Sequence, residues 1–384
     1  MDSFQDYNII LINLDGLRRD KIKLCPILNS LSKKSYYFSK MNTVAPYTFA
    51  SLHSVFSGMY PSRNGVNGYY NIFKFKKNQI TTLTEFLKKN NYYTCCDIID
   101  ESVIPEQGFD EFKIFDEETV DFKKRHSDLI SKLSQKSKFF LFLHFTETHK
   151  HLVRAVVQKY KQEENDDDYF QFQDENNKRY NSYLPSCDEY VKTLLDSIKQ
   201  NEIDKKTIII FFSDHGTSIG EKNGEKFYGV YTYDYTLNVF CIINFPEIIP
   251  QVIKQQCRTI DILPTILELI NEKNDEKNDD SLKIQGESLI SLIKNSSSSD
   301  RDVFVETGGL YGPWPSPEKH NVFCVKNTNK KLIFNDIPKT WEFYDLINDP
   351  CELNNIYDEN LDDVIKFKNK LRYFFNENDI EIKF

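Results

Sequence analysis

Three short stretches carry residues that could do chemistry together, and each follows a run of apolar residues. Asn8 to Leu14 (NIILINL) empties into Asp15-Gly16, Phe139 to Phe145 (FFLFLHF) into Thr146-Glu147-Thr148-His149-Lys150-His151, and Thr207 to Phe212 (TIIIFF) into Ser213-Asp214-His215-Gly216. Two carboxylates and an imidazole, Asp15, Asp214 and His215, form an oxygen-rich donor set suited to Mg, Mn, Ca or Zn. The alternative is that each Asp caps the helix after its strand. A fourth stretch, Ala45 to Gly58 (APYTFASLHSVFSG), reads as a helix that Pro46 enters and Gly58 closes. Thr48 then stands at a helix N-terminus, where free N–H groups and the dipole favour an anion. Beside a divalent cation its hydroxyl could ionise and attack phosphorus or sulfur. As a bare N-cap it would do neither.

The elements that must position these residues follow from the same runs. Runs of β-branched and aromatic residues with no polar alternation suit strands buried on both faces of a parallel sheet. Ile80 to Asn90 and Tyr190 to Gln200 repeat apolar residues at three- and four-residue spacing and read as crossover helices. The expected fold is therefore α/β, a mostly parallel central sheet flanked by helices. Ligands of such sheets bind at the carboxyl ends of the strands, where the three chemical stretches fall. Polar patches at 161–182, 272–281 and 295–300 read as solvated loops. Beyond residue 300, short strand-like runs (VFVET, NVFCVK, KLIFN, WEFYDL) precede one helical run, Leu361 to Phe375. This divides the chain into a catalytic α/β domain, 1–295, and a smaller antiparallel-sheet plus helix unit, 300–384.

Composition narrows the function. The 384 residues carry a net charge of −9, which argues against a nucleic-acid partner, since such proteins need a basic surface. No apolar run approaches a membrane span, and MDSFQDYNII lacks the positive start of a signal peptide. A cytoplasmic protein is the expectation. The eight Cys show no CxxC spacing and read as reduced, mostly buried thiols.

Taken in order, these motifs resemble the sulfatase-like branch of the alkaline phosphatase superfamily. NIILINLDGLRRD resembles that family's first strand with its metal Asp, and TFASLHSVFSGMYPSRNGV its nucleophile helix and tail. FLFLHFTETHKH is similar to the strand delivering a substrate-contacting His, and FFSDHG to the second metal motif. CRTIDILPTIL, IQGESLISLI and WEFYDLINDPCELNNI resemble later landmarks. The resemblance implies Asp15, Asp214 and His215 as ligands of one divalent metal, and Thr48 as nucleophile and further ligand. It implies His149 as the residue that contacts the transferred group or protonates the leaving oxygen. Lys226 and His151 are candidate substrate contacts. A second metal would draw on Glu147 and His151, but its third ligand is expected where Tyr228 stands.

Several positions depart from the family pattern. Family sulfatases oxidise a Cys or Ser to formylglycine, and Thr48 cannot yield that aldehyde. Thr is what phosphodiesterase-type and phosphoglycerol-transferase-type relatives use, so phosphoester chemistry is favoured over sulfate. Gly16 replaces a second Asp, Ala50 a Pro and Leu52 an Arg or His, with His53 displaced by one; Tyr228 replaces a His or Lys. The expected substrate is a small-molecule, sugar or lipid-headgroup ester, with pocket walls from 161–182 and Gly308 to Pro317. Sulfate hydrolysis without formylglycine, or a non-catalytic protein that only binds a phosphorylated or sulfated ligand, are the alternatives.

Overall fold

The computed structural model describes residues 4–151, 154, 167–272, 283–294, 301–308, 321–382 and 384. Its main sheet runs in the order β4-β3-β5-β1-β6-β7-β2-β8, with β9 also paired to β2. The strands are β1 Asn8–Leu14, β2 Tyr36–Asn42, β3 Tyr93–Ile98, β4 Glu111–Ile114, β5 Phe139–Phe145, β6 Thr207–Phe212, β7 Asn238–Asn244, β8 Gln251–Ile253 and β9 Cys257–Arg258. Only β7 pairs antiparallel to its neighbours, so the sheet is mixed but mostly parallel, as the apolar runs imply.

The central strands have no polar face because both faces are covered. Ile9 and Leu11 point to one side with Phe140, Phe142, Ile208 and Ile210. There they meet the helix Thr48–Ser57 through Leu52, Val55 and Phe56 and the helix Ile262–Leu269 through Leu263 and Ile266. Ile10 and Ile12 point to the other side with Leu141, Leu143, Ile209 and Phe211. That face is closed by the helices Phe122–Leu133 and Leu184–Gln200, the latter through Tyr190, Val191 and Leu194. Burial of each large apolar side chain stabilises by about 1.5–3 kcal/mol, which makes this two-sided packing the main source of stability.

A second sheet, β10 Val303–Thr307, β11 Val322–Lys326, β12 Lys330–Asn335 and β13 Thr340–Asp345, is antiparallel throughout. Its alternation is the half-buried kind turned double. Phe323, Val325 and Phe334 pack on Phe367, Leu371 and Phe374 of the helix Asp362–Glu377. Val322, Cys324 and Ile333 face the other way, onto Tyr231, Tyr233 and Leu237. Between the two sheets lies a buried ion network: Asp234 accepts from Lys326 at 2.7 Å and Lys331 at 2.8 Å, and Lys331 also reaches Glu352 at 2.7 Å.

The reading of 161–182 as a solvated loop is corrected for its described part. Asp167–Gln171 and Gln173–Ser182 are helices. Tyr169 of the first helix and Asn176 and Tyr180, four apart in the second, are buried, while Asp174, Glu175 and Lys178 are exposed. Residues 161–166, 273–281, 295–300 and 309–317 lie outside the described residues, and with them part of the first expected pocket wall and nearly all of the second. All eight cysteines are free thiols, seven of them buried and Cys351 exposed. No helix among the described residues is long and apolar enough to cross a membrane.

Candidate active site

Strands β1, β5 and β6 lie side by side, so their carboxyl ends deliver their next residues to one place. The backbone N–H of Asp15 continues the ladder to the carbonyl of Phe145 at 3.0 Å. Asn13, buried within β1, turns its Oδ1 to accept from the N–H of Asp214 at 3.0 Å. Asp214 Oδ1 in turn accepts from the N–H groups of Gly16 at 3.3 Å and His215 at 3.1 Å. Neither Asp caps a helix; the Asp214 carboxylate binds the turns after β1 and β6, and that of Asp15 binds the side chain of His144. Gly16 makes its turn at φ +66°, and a Cβ there would lie 2.8 Å from Thr217 Oγ1, so a side chain at this position would strain the backbone and displace Thr217.

These bonds use one oxygen of each carboxylate and leave the other. His144 Nε2–H donates to Asp15 Oδ2 at 2.8 Å, and Asp15 Oδ1 has no partner; Asp214 Oδ2 has none either. His215 Nδ1–H donates to the carbonyl of Gly216 at 2.8 Å, which fixes the tautomer and leaves a lone pair on Nε2. That Nε2 lies 3.6 Å from Asp15 Oδ1 and 3.7 Å from Asp214 Oδ2. Among the described residues this is the only group of three or more His, Cys, Asp or Glu residues whose donor atoms converge within 4.8 Å. Burial works against charge on Asp15, but His149, His144 and His215 outweigh it and hold the carboxyl well below its usual range. Burial and then the charge of Asp15 push Asp214 up. Two buried, unpartnered carboxylate oxygens facing an imidazole lone pair fit a divalent cation, whose charge would satisfy all three.

Thr48 is the first residue of its helix, and Tyr47 is the N-cap, without a side-chain cap bond. The hydroxyl therefore does not cap; it lies 3.1 Å from His215 Nε2 and donates to its lone pair. The helix is pinned to the β6 end by Ser51, whose hydroxyl donates to the carbonyl of Asp214 at 2.8 Å. Around Thr48 the walls are aromatic. Tyr47 stacks on Tyr69 at 4.5 Å, and Tyr228 stacks on His215 at 4.3 Å and leans on His149 at 5.1 Å.

The remaining candidates divide. His149 is brought to the cluster: its ring centroid is 6.2 Å from that of His215, and its Nε2 is buried without a partner. His151 stacks on Tyr183 at 5.4 Å and sits 3.9 Å from Glu147, which Ser186 also engages, so neither joins the cluster. Lys226 is held by its backbone carbonyl, which accepts from Tyr169. Leu52 faces the core rather than the site. His53 does not substitute for the cation missing there: its Nδ1 binds the Phe49 carbonyl, and burial pushes it down to about 4, leaving it neutral.

Sequence reasoning missed His144, Asn13 and Tyr180. The first two are polar residues inside runs buried on both faces, and a buried polar group must find a partner. Tyr180 is a buried aromatic in a charged helix; its hydroxyl donates to the Gly16 carbonyl and accepts from the Arg18 N–H, both at 2.9 Å.

The sulfatase family profile matches residues 2–272, which includes every residue of this cluster. The chain belongs to the sulfatase family. A profile described as N-sulphoglucosamine sulphohydrolase, C-terminal, matches residues 223–377. An ulvan-active sulfatase of Formosa agariphila is 28% identical over 182 residues, covering 46% of this chain and 34% of that protein. An N-acetylglucosamine-6-O-sulfatase of Bacteroides thetaiotaomicron is 28% identical over 186 residues, covering 46% and 31%. The chain thus spans about a third of the length of these relatives. Among solved structures, a 2-O GAG sulfatase superposes with a TM-score of 0.76 at 16% identity, covering 97% of this chain and 93% of that one. A phosphonate monoester hydrolase of Agrobacterium radiobacter gives 0.77 at 13% identity, covering 97% and 96%. The homologues and structural neighbours are ester hydrolases of sulfur and phosphorus oxyacids, and the fold of this chain is theirs.

Proposed function

We propose that this protein is a metal-dependent ester hydrolase in which Thr48 is the nucleophile and phosphoesters are the preferred substrates. The observation that carries the reading is the hydroxyl of Thr48, at a helix N-terminus, 3.1 Å from His215 Nε2 and beside the unpartnered oxygens of Asp15 and Asp214. One divalent cation held by Asp15, Asp214 and His215, with Thr48 as further ligand, would supply positive charge that favours the threonine alkoxide and the developing anion. The Thr48 oxygen, its proton released to solvent water, attacks phosphorus in line with the leaving oxygen, forming a phosphothreonine as the ester P–O bond breaks. The N-terminal N–H groups of its helix face the transferred group. His149, whose Nε2 is free, gives a proton to the leaving oxygen. Water, or another acceptor hydroxyl, then takes the phosphoryl group from Thr48.

Family membership supports a second reading, sulfate ester hydrolysis through the same threonine. Metal analysis combined with hydrolysis of aryl phosphate, aryl phosphodiester and aryl sulfate separates the two. Thr48→Ala is expected to lose at least ~10³-fold in turnover, in the range seen when a nucleophile is removed. Asp214→Asn is expected to lose metal. Full metal-dependent turnover by Thr48→Ala would refute the mechanism, and metal binding without cleavage of any ester would leave a binding protein with Tyr228 closing its site.

A further inference from the structure

We propose that the segment Gly68–Gln79, packed against the helix that carries Thr48, docks the protein onto an anionic phospholipid surface. The charge pattern of the chain points there first. From Lys21 to Thr84 there are nine Lys and Arg and not one Asp or Glu, whereas the other 40 Lys and Arg share the chain with all 58 acids. Within this acid-free stretch Lys74, Lys76 and Lys77 are exposed, and among the described residues none of them has a carboxylate partner. Although the protein's net charge is −9, this segment thus presents three lysines without carboxylate partners, which an anionic surface attracts.

The apolar side chains of the same segment sort into two sets. Tyr69 and Phe75 point inward, onto Tyr47 at 4.5 Å and His53 at 5.1 Å, and so fasten the segment to the helix that carries Thr48. The Lys76 N–H adds a bond to the Asn64 carbonyl at 3.0 Å. Tyr70 and Phe73 point outward, 58% and 81% exposed. Aromatic side chains at a tip flanked by lysines are the composition of an interfacial anchor: rings enter the headgroup and acyl boundary while ammonium groups meet lipid phosphates. A soluble sugar chain needs a concave, walled subsite, and Phe73 projects instead of lining one.

Partition onto sedimented vesicles tests this without any turnover, so it stands or falls separately from the chemistry of Thr48. The protein is expected to bind phosphatidylcholine vesicles containing phosphatidylserine, at least tenfold better than pure phosphatidylcholine, and to release with salt. Each lysine near such a surface is worth a factor of about five, so Lys74→Gln/Lys76→Gln/Lys77→Gln should weaken binding about hundredfold. Phe73→Ser should weaken it about tenfold while leaving the salt dependence. Phe73→Trp should show blue-shifted emission on anionic vesicles only, and unchanged melting temperatures certify that the variants fold. Absence of binding at low salt, or equal binding by the variants, overturns the proposal. So does a heparin hexasaccharide whose affinity falls in the same variants while vesicles are ignored, which would assign the face to a soluble polyanion.

Discussion

Replacing His144 by Phe tests whether the metal cluster depends on a residue that never touches the metal. His144 is buried at the end of β5, and its Nε2–H donates to Asp15 Oδ2 at 2.8 Å, which turns Oδ1 toward Asp214 and His215. A hydrogen bond to a charged group contributes about 1.5–3 kcal/mol. If that sum orients Asp15 for the cation, its loss should weaken metal affinity about ten- to hundredfold, the range seen when outer partners of metal ligands are removed. Phe keeps the ring volume and the neighbourhood of Phe115, so no cavity confuses the result. Titration calorimetry and chelator competition would read the affinity. In the hydrolysis assay, the metal concentration for half-activation should rise with a smaller change at saturating metal. His144→Gln, which keeps a donor, should recover part of the affinity. Metal binding by His144→Phe within twofold of wild type would refute the argument and reduce the pair to a stability contact.

Two further perturbations probe what holds the site in place. Asp234→Asn strips the charge that pairs with Lys326 and Lys331 between the two sheets, and a buried pair broken on one side costs about 3–5 kcal/mol, readable as a lower denaturant midpoint. Glu225, buried and accepting from the N–H groups of Val230 and Tyr231 and the hydroxyl of Tyr235, is pushed up to about 7, first by burial. Its folded value lies above its unfolded one, so the stability it contributes is complete below about pH 4.5 and is lost as the pH rises through about 7. Over that window the wild type should lose about 3 kcal/mol relative to Glu225→Gln, measured by denaturation at a series of pH values, and parallel curves would contradict it.

How much of this was legible in the sequence depends on whether a residue's role is set locally. The three buried strands were legible because NIILINL, FFLFLHF and TIIIFF leave no polar face, and a run without alternation has only one economical home, the middle of a two-sided sheet. Asp15, Asp214 and His215 were legible as a set because they follow such runs, and strand ends meet at one edge of a parallel sheet. The segment from 167 to 182 was misread because its charged residues set the average, while three spaced residues, Tyr169, Asn176 and Tyr180, set the fold. The substitutions at 52 and 228 looked alike in sequence, as two lost cations. In the structure they have opposite meanings: Leu52 fills the core and removes nothing from the crevice, whereas Tyr228 lies on the imidazole of His215. In the proposed mechanism the transition-state charge is therefore met by the cluster's cation, the helix N-terminus and His149. In that mechanism the cation held by Asp15, Asp214 and His215 supplies much of the positive charge, which is why the bond from His144 to Asp15 should matter more here than the number of residues around it suggests.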